Sequence, residues 1–271
     1  MTDTNERRAR GFTLIELLVS VAIIAGLAAI LLPSLRQARA TSKVVTCASH
    51  LRQLGLGVHT YAIENDGFIP RGPKPAYPFD FSGNGIATNQ LWIGTEVWGY
   101  PPANPLQHNG LGSMLKTVCP DPGVYFCPDD DTYNLTREKP KIGTDANSYG
   151  SYIYRQLDRL GPKAGAGLLD RLGSCEVAGV RIAVEALAMD TNSLGSGQFR
   201  HTNHAAKVAN VLFRDGSVRR FGNRKKALAL PEDAFPNPVD ILGAIDQMLT
   251  NADYAYRTAS PDGAPRIDVE P

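Results

Sequence analysis

The sequence has almost no net charge, few cysteines and no catalytic signature. Its 28 Lys and Arg nearly balance its 27 Asp and Glu, so the formal net charge is +1. This balance gives no electrostatic basis for binding nucleic acid. Four cysteines in 271 residues are too few for a disulfide scaffold. The sequence contains no HExxH motif and no nucleophile elbow. We therefore expect neither an enzyme nor a cofactor.

The apolar residues are concentrated near the N-terminus. Residues 12–32 are apolar apart from a few small polar side chains and one charge, Glu16. As a helix this segment is about 30 Å long, the thickness of a bilayer core. A buried core helix rarely carries such an uncharged run, and a secretory signal peptide would be shorter and followed by a small-x-small site. We therefore predict a transmembrane helix. Arginines flank both ends of it, so the positive-inside rule does not decide its orientation.

Glu16 is the informative residue of this span, because a carboxylate inside a membrane costs a few kcal/mol without a partner. It could extend to the near interface, or it could meet a cation on a neighbouring molecule. If the chain were cut after Gly11, Phe12 would carry a free α-amine. A second copy of the helix, shifted by about one turn, would bring that amine to Glu16.

The run GFTLIELLV at residues 11–19, behind a basic leader, resembles the class III signal of type IV pilins and type II secretion pseudopilins. The resemblance implies cleavage between Gly11 and Phe12 by a prepilin peptidase, which also N-methylates Phe12. It further implies assembly with other pilin-like subunits on an inner-membrane platform, with the C-terminal region outside the cytoplasm. Glu16 is then the assembly residue. Pro33 falls where these proteins commonly carry a helix-kinking proline.

Helical periodicity continues after Pro33, which we expect to bend the helix. Apolar residues recur at spacings of three and four, which predicts one buried stripe on a helix extending to about residue 63. The stripe comprises Val44, Cys47, Leu51, Leu54, Val58 and Tyr61. Gly55 and Gly57 lie within this helix although glycine has a low helix propensity. We interpret them as sites of close packing against a strand.

Cys119 and Cys127 are eight residues apart in a segment rich in turn residues. In an oxidising compartment this spacing suggests a disulfide that closes a small loop. The alternatives are free thiols and a zinc site, which would need two more ligands near by and lacks a CxxC spacing. Asp129, Asp130 and Asp131 follow directly. They lack the alternating spacing of a calcium loop, so we interpret them as a solvated acidic turn.

The C-terminal half reads as strands and one helix. Residues 148–154, 180–187 and 207–213 have the composition of strands. Asp215 and Gly216 lie between the last of these and residues 217–221, which predicts an antiparallel hairpin. Residues 239–249 have helical spacing. Residues 257–271 are polar and are expected to fray.

The hairpin region resembles a second signature, the distal His-x9-Asp-Gly motif of planctomycete-type prepilin-like proteins. Arg200-His201 and the run ANVLFRDG ending in Asp215 and Gly216 match its two ends, with His201 favoured over His204 as its histidine. The segments 47–70 and 126–129 fit the same family. His201, His204 and Asp215 are also the candidate metal ligands, to which Asp190 or Glu185 could add a carboxylate. A structural role for them is favoured, and no metal is expected.

The sequence thus predicts an α+β fold, in which a long helix, partly in the membrane, packs on a small antiparallel sheet with long loops. The expected segments are a leader, a transmembrane helix, an amphipathic extension, a globular domain and a flexible tail: residues 1–11, 12–32, 33–66, 67–256 and 257–271. The predicted function is structural, in a type II secretion pseudopilus or a type IV pilus-like filament. The alternatives are an anchored module that binds a ligand through residues 70–110, and an anchored metalloenzyme.

Overall fold

The computed structural model describes residues 14–72, 87–95, 106–155, 172, 175–177, 180–182, 185–195, 200–234 and 238–258. The chain divides into two compact units, residues 1–42 and 43–271. Helix α1 runs from Leu14 to Glu64 and contributes to both. It is continuous across Pro33, so the predicted long helix is confirmed; the bend at Pro33 stays a prediction.

In the first unit, α1 exposes its apolar side chains. Leu14, Ile24 and Ile30 expose 77%, 65% and 74% of their surface. The most apolar 18-residue window of the helix has a mean hydropathy of 2.7, and none of it is buried. Since burying apolar surface is the main favourable term in folding, a long helix of this composition calls for an apolar surrounding outside its own chain.

In the second unit, the predicted α+β class is confirmed. Six antiparallel strands form one sheet in the order β10-β9-β6-β3-β1-β2. Their bounds are β1 Ala87–Ile93, β2 Gln107–His108, β3 Ser148–Arg155, β6 Ala186–Asp190, β9 Val208–Phe213 and β10 Val218–Gly222. Two small hairpins complete the strands: β4 Cys175–Val177 with β5 Val180–Ile182, and β7 Asn192–Leu194 with β8 Arg200–Thr202.

The second half of α1 covers one face of the sheet. Cys47, Leu51, Leu54 and Val58, all from the predicted stripe, are fully buried and share one core with Leu212 of β9. A Cβ built on Gly55 would lie 2.7 Å from the Leu212 Cδ1, so the glycine permits close packing on β9, as expected. The helix ends at the predicted turn, where Asp66 and Gly67 have positive φ angles.

The long helix α3, which follows the short helix α2 (Leu135–Glu138) in sequence, covers the opposite face. It runs from Pro238 to Thr258, well beyond the predicted residues 239–249. Its Met248, Leu249 and Ala252 share a core with Val211 and Phe213 of β9. Neighbouring residues of β9 therefore point to different cores, as the alternation of a strand requires. The sheet lies between two layers of helix, whereas the sequence predicted a packing partner for one face.

Candidate functional site

The predicted processing site, Gly11 and Phe12, lies outside the described residues. Glu16 is exposed in the first turn of α1. Trp92, in the segment 70–110 of the alternative ligand-binding reading, is buried, and its indole Nε1–H donates to the Thr144 carbonyl at 2.8 Å. Residues 73–86 and 96–105 of that segment also lie outside the described residues.

The expected Cys119–Cys127 disulfide is not formed, because the two thiols belong to different surroundings. Both are free and buried. Cys119 lies near Gly57 and Tyr125, whose hydroxyl donates to the Cys119 carbonyl. Cys127 instead faces His204, with 3.5 Å between the Cys127 Sγ and the His204 Nε2.

The predicted hairpin is confirmed, and Asp215 is a turn residue within it. Strands β9 and β10 pair in antiparallel register. The Asp215 carboxylate accepts hydrogen bonds from the Ser217 backbone N–H at 2.8 Å and from the Tyr256 hydroxyl at 2.9 Å. The guanidinium of Arg219 lies 4.4 Å above the Tyr256 ring. These contacts, together with the charge of Arg219, outweigh partial burial and lower the pKa of Asp215.

The candidate set His201, His204 and Asp215 is not brought together as one site. The His201 Nε2 lies 2.8 Å from a carboxylate oxygen of Asp130. His204 has different neighbours, Cys127 and Asp190. Asp215 sits in the hairpin turn with its own partners, described above.

The acidic run is only in part the solvated turn that the sequence predicted, since Asp131 is exposed. Asp130 is bonded to His201, and its side chain is fully buried. Asp131 accepts hydrogen bonds from the backbone N–H of Thr202 at 2.8 Å and from its hydroxyl at 2.6 Å. These two residues therefore attach the loop after Cys127 to strand β8.

The most distinctive polar group in the described chain is a buried cluster of Cys47, Cys127, His204 and Asp190. The ligand atoms of the two cysteines and the histidine all lie within 4.8 Å of one another. The Cys47 thiol donates to the Asp190 Oδ1 at 2.9 Å. The His204 Nε2 lies 3.6 Å from the Asp190 Oδ2. Four side chains with metal-binding chemistry thus converge inside the core; we call them the thiol–imidazole cluster.

Each member of the thiol–imidazole cluster comes from a different segment. Cys47 lies on the buried stripe of α1, and Cys127 lies in the loop after a 3-10 helix, Pro122–Tyr125. Asp190 ends strand β6. His204 begins a 3-10 turn between β8 and β9, with a φ of +53°. That left-handed backbone is uncommon outside glycine, and histidine is among the residues that adopt it more readily.

A second layer of hydrogen bonds orients the cluster. The His204 Nδ1 lies 3.2 Å from an Asp129 carboxylate oxygen, and Asp129 forms an ion pair with Lys43 at 2.7 Å. The Asp190 Oδ2 accepts from the Asn210 backbone N–H at 2.7 Å and from its side-chain amide at 3.1 Å. Asn210 belongs to the ANVLF run, so the structure connects His204, rather than the favoured His201, to that run.

Without a metal, the cluster has unusual protonation. The neighbouring side chains of Cys47 and His204 lower the pKa of the Cys127 thiol. Burial lowers the pKa of His204, but its contacts with Cys127 and Asp190 outweigh burial and raise the value to about 9. Burial raises the pKa of the Cys47 thiol.

Sequence reasoning identified Cys127 separately and named Asp190 as a possible carboxylate partner of His204, but it missed Cys47. Cys47 was interpreted as a core residue, since its spacing fits the apolar stripe. A signal was nevertheless present. The three segments that resemble the planctomycete-type family, around residues 47–70, 126–129 and 200–216, each supply one member of the cluster.

Comparison with known proteins supports the N-terminal interpretation. Residues 7–32 match the prokaryotic N-terminal methylation motif. The chain is 42% identical over 62 residues to the Type IV wide pilus major component PilA4 of Thermus thermophilus. The aligned segment covers 23% of this chain and 47% of that protein. The chain thus spans about half the length of the curated relative it matches. No solved structure matches the chain.

The motif and the helix together indicate that the N-terminal region anchors the chain in a membrane. In the described chain α1 is long and apolar enough to cross a membrane. The methylation motif covers the start of that helix. The chain therefore carries a prepilin-type N-terminus on an apolar membrane anchor, and this region is pilin-like.

Proposed function

We propose that the chain is a structural pilin-like subunit that is processed between Gly11 and Phe12 and assembles through α1. One observation carries the proposal: the prepilin-type motif is joined to a helix whose most apolar window is wholly exposed. Before assembly the bilayer covers this surface. In a filament the same surface packs on other subunits, so one sequence serves both states.

Assembly requires a partner for the charge at the start of that surface. Glu16 lies in the first turn of α1. In the proposed filament the N-methylated amine of Phe12 on a neighbouring subunit meets the Glu16 carboxylate. The pairing neutralises two charges within an apolar bundle and sets the axial step between subunits.

The proposal includes the partners that this processing demands. A prepilin peptidase cleaves and methylates the chain, and an inner-membrane platform inserts it among other pilin-like subunits. The helix crosses the membrane once, and the second unit lies outside the cytoplasm. The filament is a type IV pilus-like filament or a type II secretion pseudopilus. The PilA4 similarity supports a filament role of this general kind.

N-terminal mass analysis of the protein from its native membrane tests the proposal. We expect a mature chain that begins at N-methylated Phe12. Deleting the prepilin peptidase should leave the leader attached, which is the matched control. A chain that still begins at Met1 in cells with the peptidase, or that is cut beyond Leu32, would contradict the proposal. The anchored ligand-binding alternative would then gain support.

Photo-crosslinking separates a filament subunit from an anchored module with the same processing. A photoreactive amino acid at Ile24, on the exposed apolar part of α1, should yield a ladder of subunit oligomers in intact cells. The ladder should disappear when the assembly platform is deleted, although the chain remains in the membrane. Monomers alone in both strains would favour the anchored module.

A further inference from the structure

We propose that Cys47, Cys127, His204 and Asp190 bind one divalent transition-metal ion, with zinc as the best-matched ion. The proposal concerns the second unit and does not depend on filament assembly. It rests on the two sulfurs and the imidazole nitrogen of the buried thiol–imidazole cluster, which all lie within 4.8 Å of one another. The Asp190 carboxylate lies beside them, with its Oδ1 2.9 Å from the Cys47 Sγ and its Oδ2 3.6 Å from the His204 Nε2.

The distances suit tetrahedral coordination. With zinc–sulfur and zinc–nitrogen bonds of about 2.3 and 2.0–2.1 Å, a tetrahedron separates the two ligand atoms by about 3.6 Å. The Cys127 Sγ and the His204 Nε2 are 3.5 Å apart. The Cys47 Sγ and the Asp190 Oδ1 are 2.9 Å apart, as in a thiol hydrogen bond. Loss of the thiol proton to solvent on metal binding removes that bond and allows the pair to open.

The contacts around the ligands are those that metal-bound groups require. A ligating histidine commonly donates its other ring N–H to a carboxylate, which fixes the tautomer. The His204 Nδ1 has such a partner in Asp129, itself paired with Lys43. The Asp129 backbone N–H also points to the Cys127 Sγ at 3.4 Å, where it stabilises negative charge on the sulfur. Asn210 holds the Asp190 Oδ2 and leaves the Oδ1 facing Cys47.

The ligand chemistry selects the class of ion. Two thiolates and an imidazole favour zinc or a related thiophilic ion over calcium and magnesium, which prefer all-oxygen sites. Four protein ligands complete a tetrahedron, so the site would be structural rather than catalytic. The ion would join α1, the loop at Cys127, strand β6 and the turn at His204 in one fixed arrangement.

Metal analysis of the full-length chain, purified in detergent under reducing conditions, tests the proposal. We expect one zinc ion per chain. Cys47→Ser, Cys127→Ser and His204→Gln should each hold less than about a tenth of that amount. Cys119→Ser is the matched control, because Cys119 is also a free, buried thiol but lies outside the cluster; it should retain one ion.

Spectroscopy of the unmodified chain covers the case in which the variants fail to fold. Cobalt(II) replacing zinc should give visible bands of tetrahedral cobalt and near-ultraviolet thiolate-to-cobalt transitions. X-ray absorption of the zinc form should show two sulfur neighbours at about 2.3 Å and two nitrogen or oxygen neighbours. Asp129→Asn should keep the stoichiometry and weaken zinc affinity by about 10–100-fold, as expected for a residue that orients a ligand.

Three results would overturn the proposal. The first is that the reduced chain binds neither zinc nor cobalt when either ion is supplied. Cys119→Ser could lose the metal to the same extent as the cluster variants. Finally, protein isolated with its thiols blocked at lysis could contain a Cys47–Cys127 disulfide, which would assign the cluster to oxidation instead.

Discussion

Arg155 and Asp253 form a buried ion pair that ties strand β3 to helix α3, with 3.1 Å between the Arg155 Nη1 and the Asp253 Oδ2. Arg155 is 1% exposed. The Asp253 Oδ1 also accepts from the backbone N–H groups of Glu185 and Ala186, at the start of β6. One carboxylate thus connects a helix to two strands of the sheet, in a place where water cannot replace it.

Removing that carboxylate should be strongly destabilising. We expect Asp253→Ala to lower the free energy of unfolding by about 3–5 kcal/mol, because it leaves the Arg155 charge buried without its partner. Denaturant unfolding followed by circular dichroism on the detergent-solubilised chain measures the change. Asp233→Ala, an exposed residue before α3, is the control and should change stability by less than about 0.5 kcal/mol. Equal effects of the two variants would contradict a special role for the pair.

The close approach of α1 to strand β9 makes a second prediction. A side chain at Gly55 would overlap the Leu212 Cδ1, and Leu212 is itself fully buried. We expect Gly55→Val to cost about 1–3 kcal/mol of unfolding free energy through overpacking. Gly243→Val is the control, since nothing lies within 4 Å of a Cβ at Gly243; it should change stability by less than about 0.5 kcal/mol. Unchanged stability of Gly55→Val would contradict the packing described for α1.

Asp215 predicts a specific pH dependence. Its folded pKa is lowered, so its contribution to stability is present above the ordinary value of 3.8 and is lost as pH falls through the folded pKa. Asp215→Asn should therefore be less stable than the native chain at pH 6, and the gap should close as pH falls below 3.8 and through the lowered folded pKa. Denaturant unfolding at several pH values measures it. A gap independent of pH for Asp215→Asn would rule out the carboxylate as its cause.

Local sequence patterns predicted the elements of the fold well. The stripe through Leu51 and Leu54 repeats at helical spacing, which predicts the helix. The Asp215–Gly216 pair is typical of a tight turn, which predicts the hairpin. Strand composition did not reveal the division between β5 and β6, because residues 180–187 read as one run. Nor did it reveal that α3 covers a second face, since its packing depends on residues far away in sequence.

The buried cluster was harder to predict for the same reason. Cys47 and Cys127 are 80 positions apart, and the helical spacing of Cys47 fits the apolar stripe, so nothing in the local sequence marks Cys47 as a partner. The nearest cysteine along the chain, Cys119, was the natural partner for Cys127 by spacing alone. In the fold Cys127 points into the core towards α1. Its neighbouring cysteine is therefore Cys47, which is distant in sequence, and not Cys119, which is close in sequence.

The last prediction concerns Glu16 and the charge balance of the proposed filament. We expect Glu16→Ala to insert into the membrane normally, because the change makes an apolar helix more apolar. It should assemble poorly, because the amine of Phe12 on a neighbouring subunit would then be buried in the bundle without a counter-charge. Filaments sheared from cells, quantified against the subunit remaining in the membrane, measure the effect. Glu64→Ala, at the far end of the same helix and exposed, is the matched control and should assemble normally. If Glu16→Ala enters filaments as efficiently as Glu64→Ala, the carboxylate does not set the register, and apolar packing alone must do so.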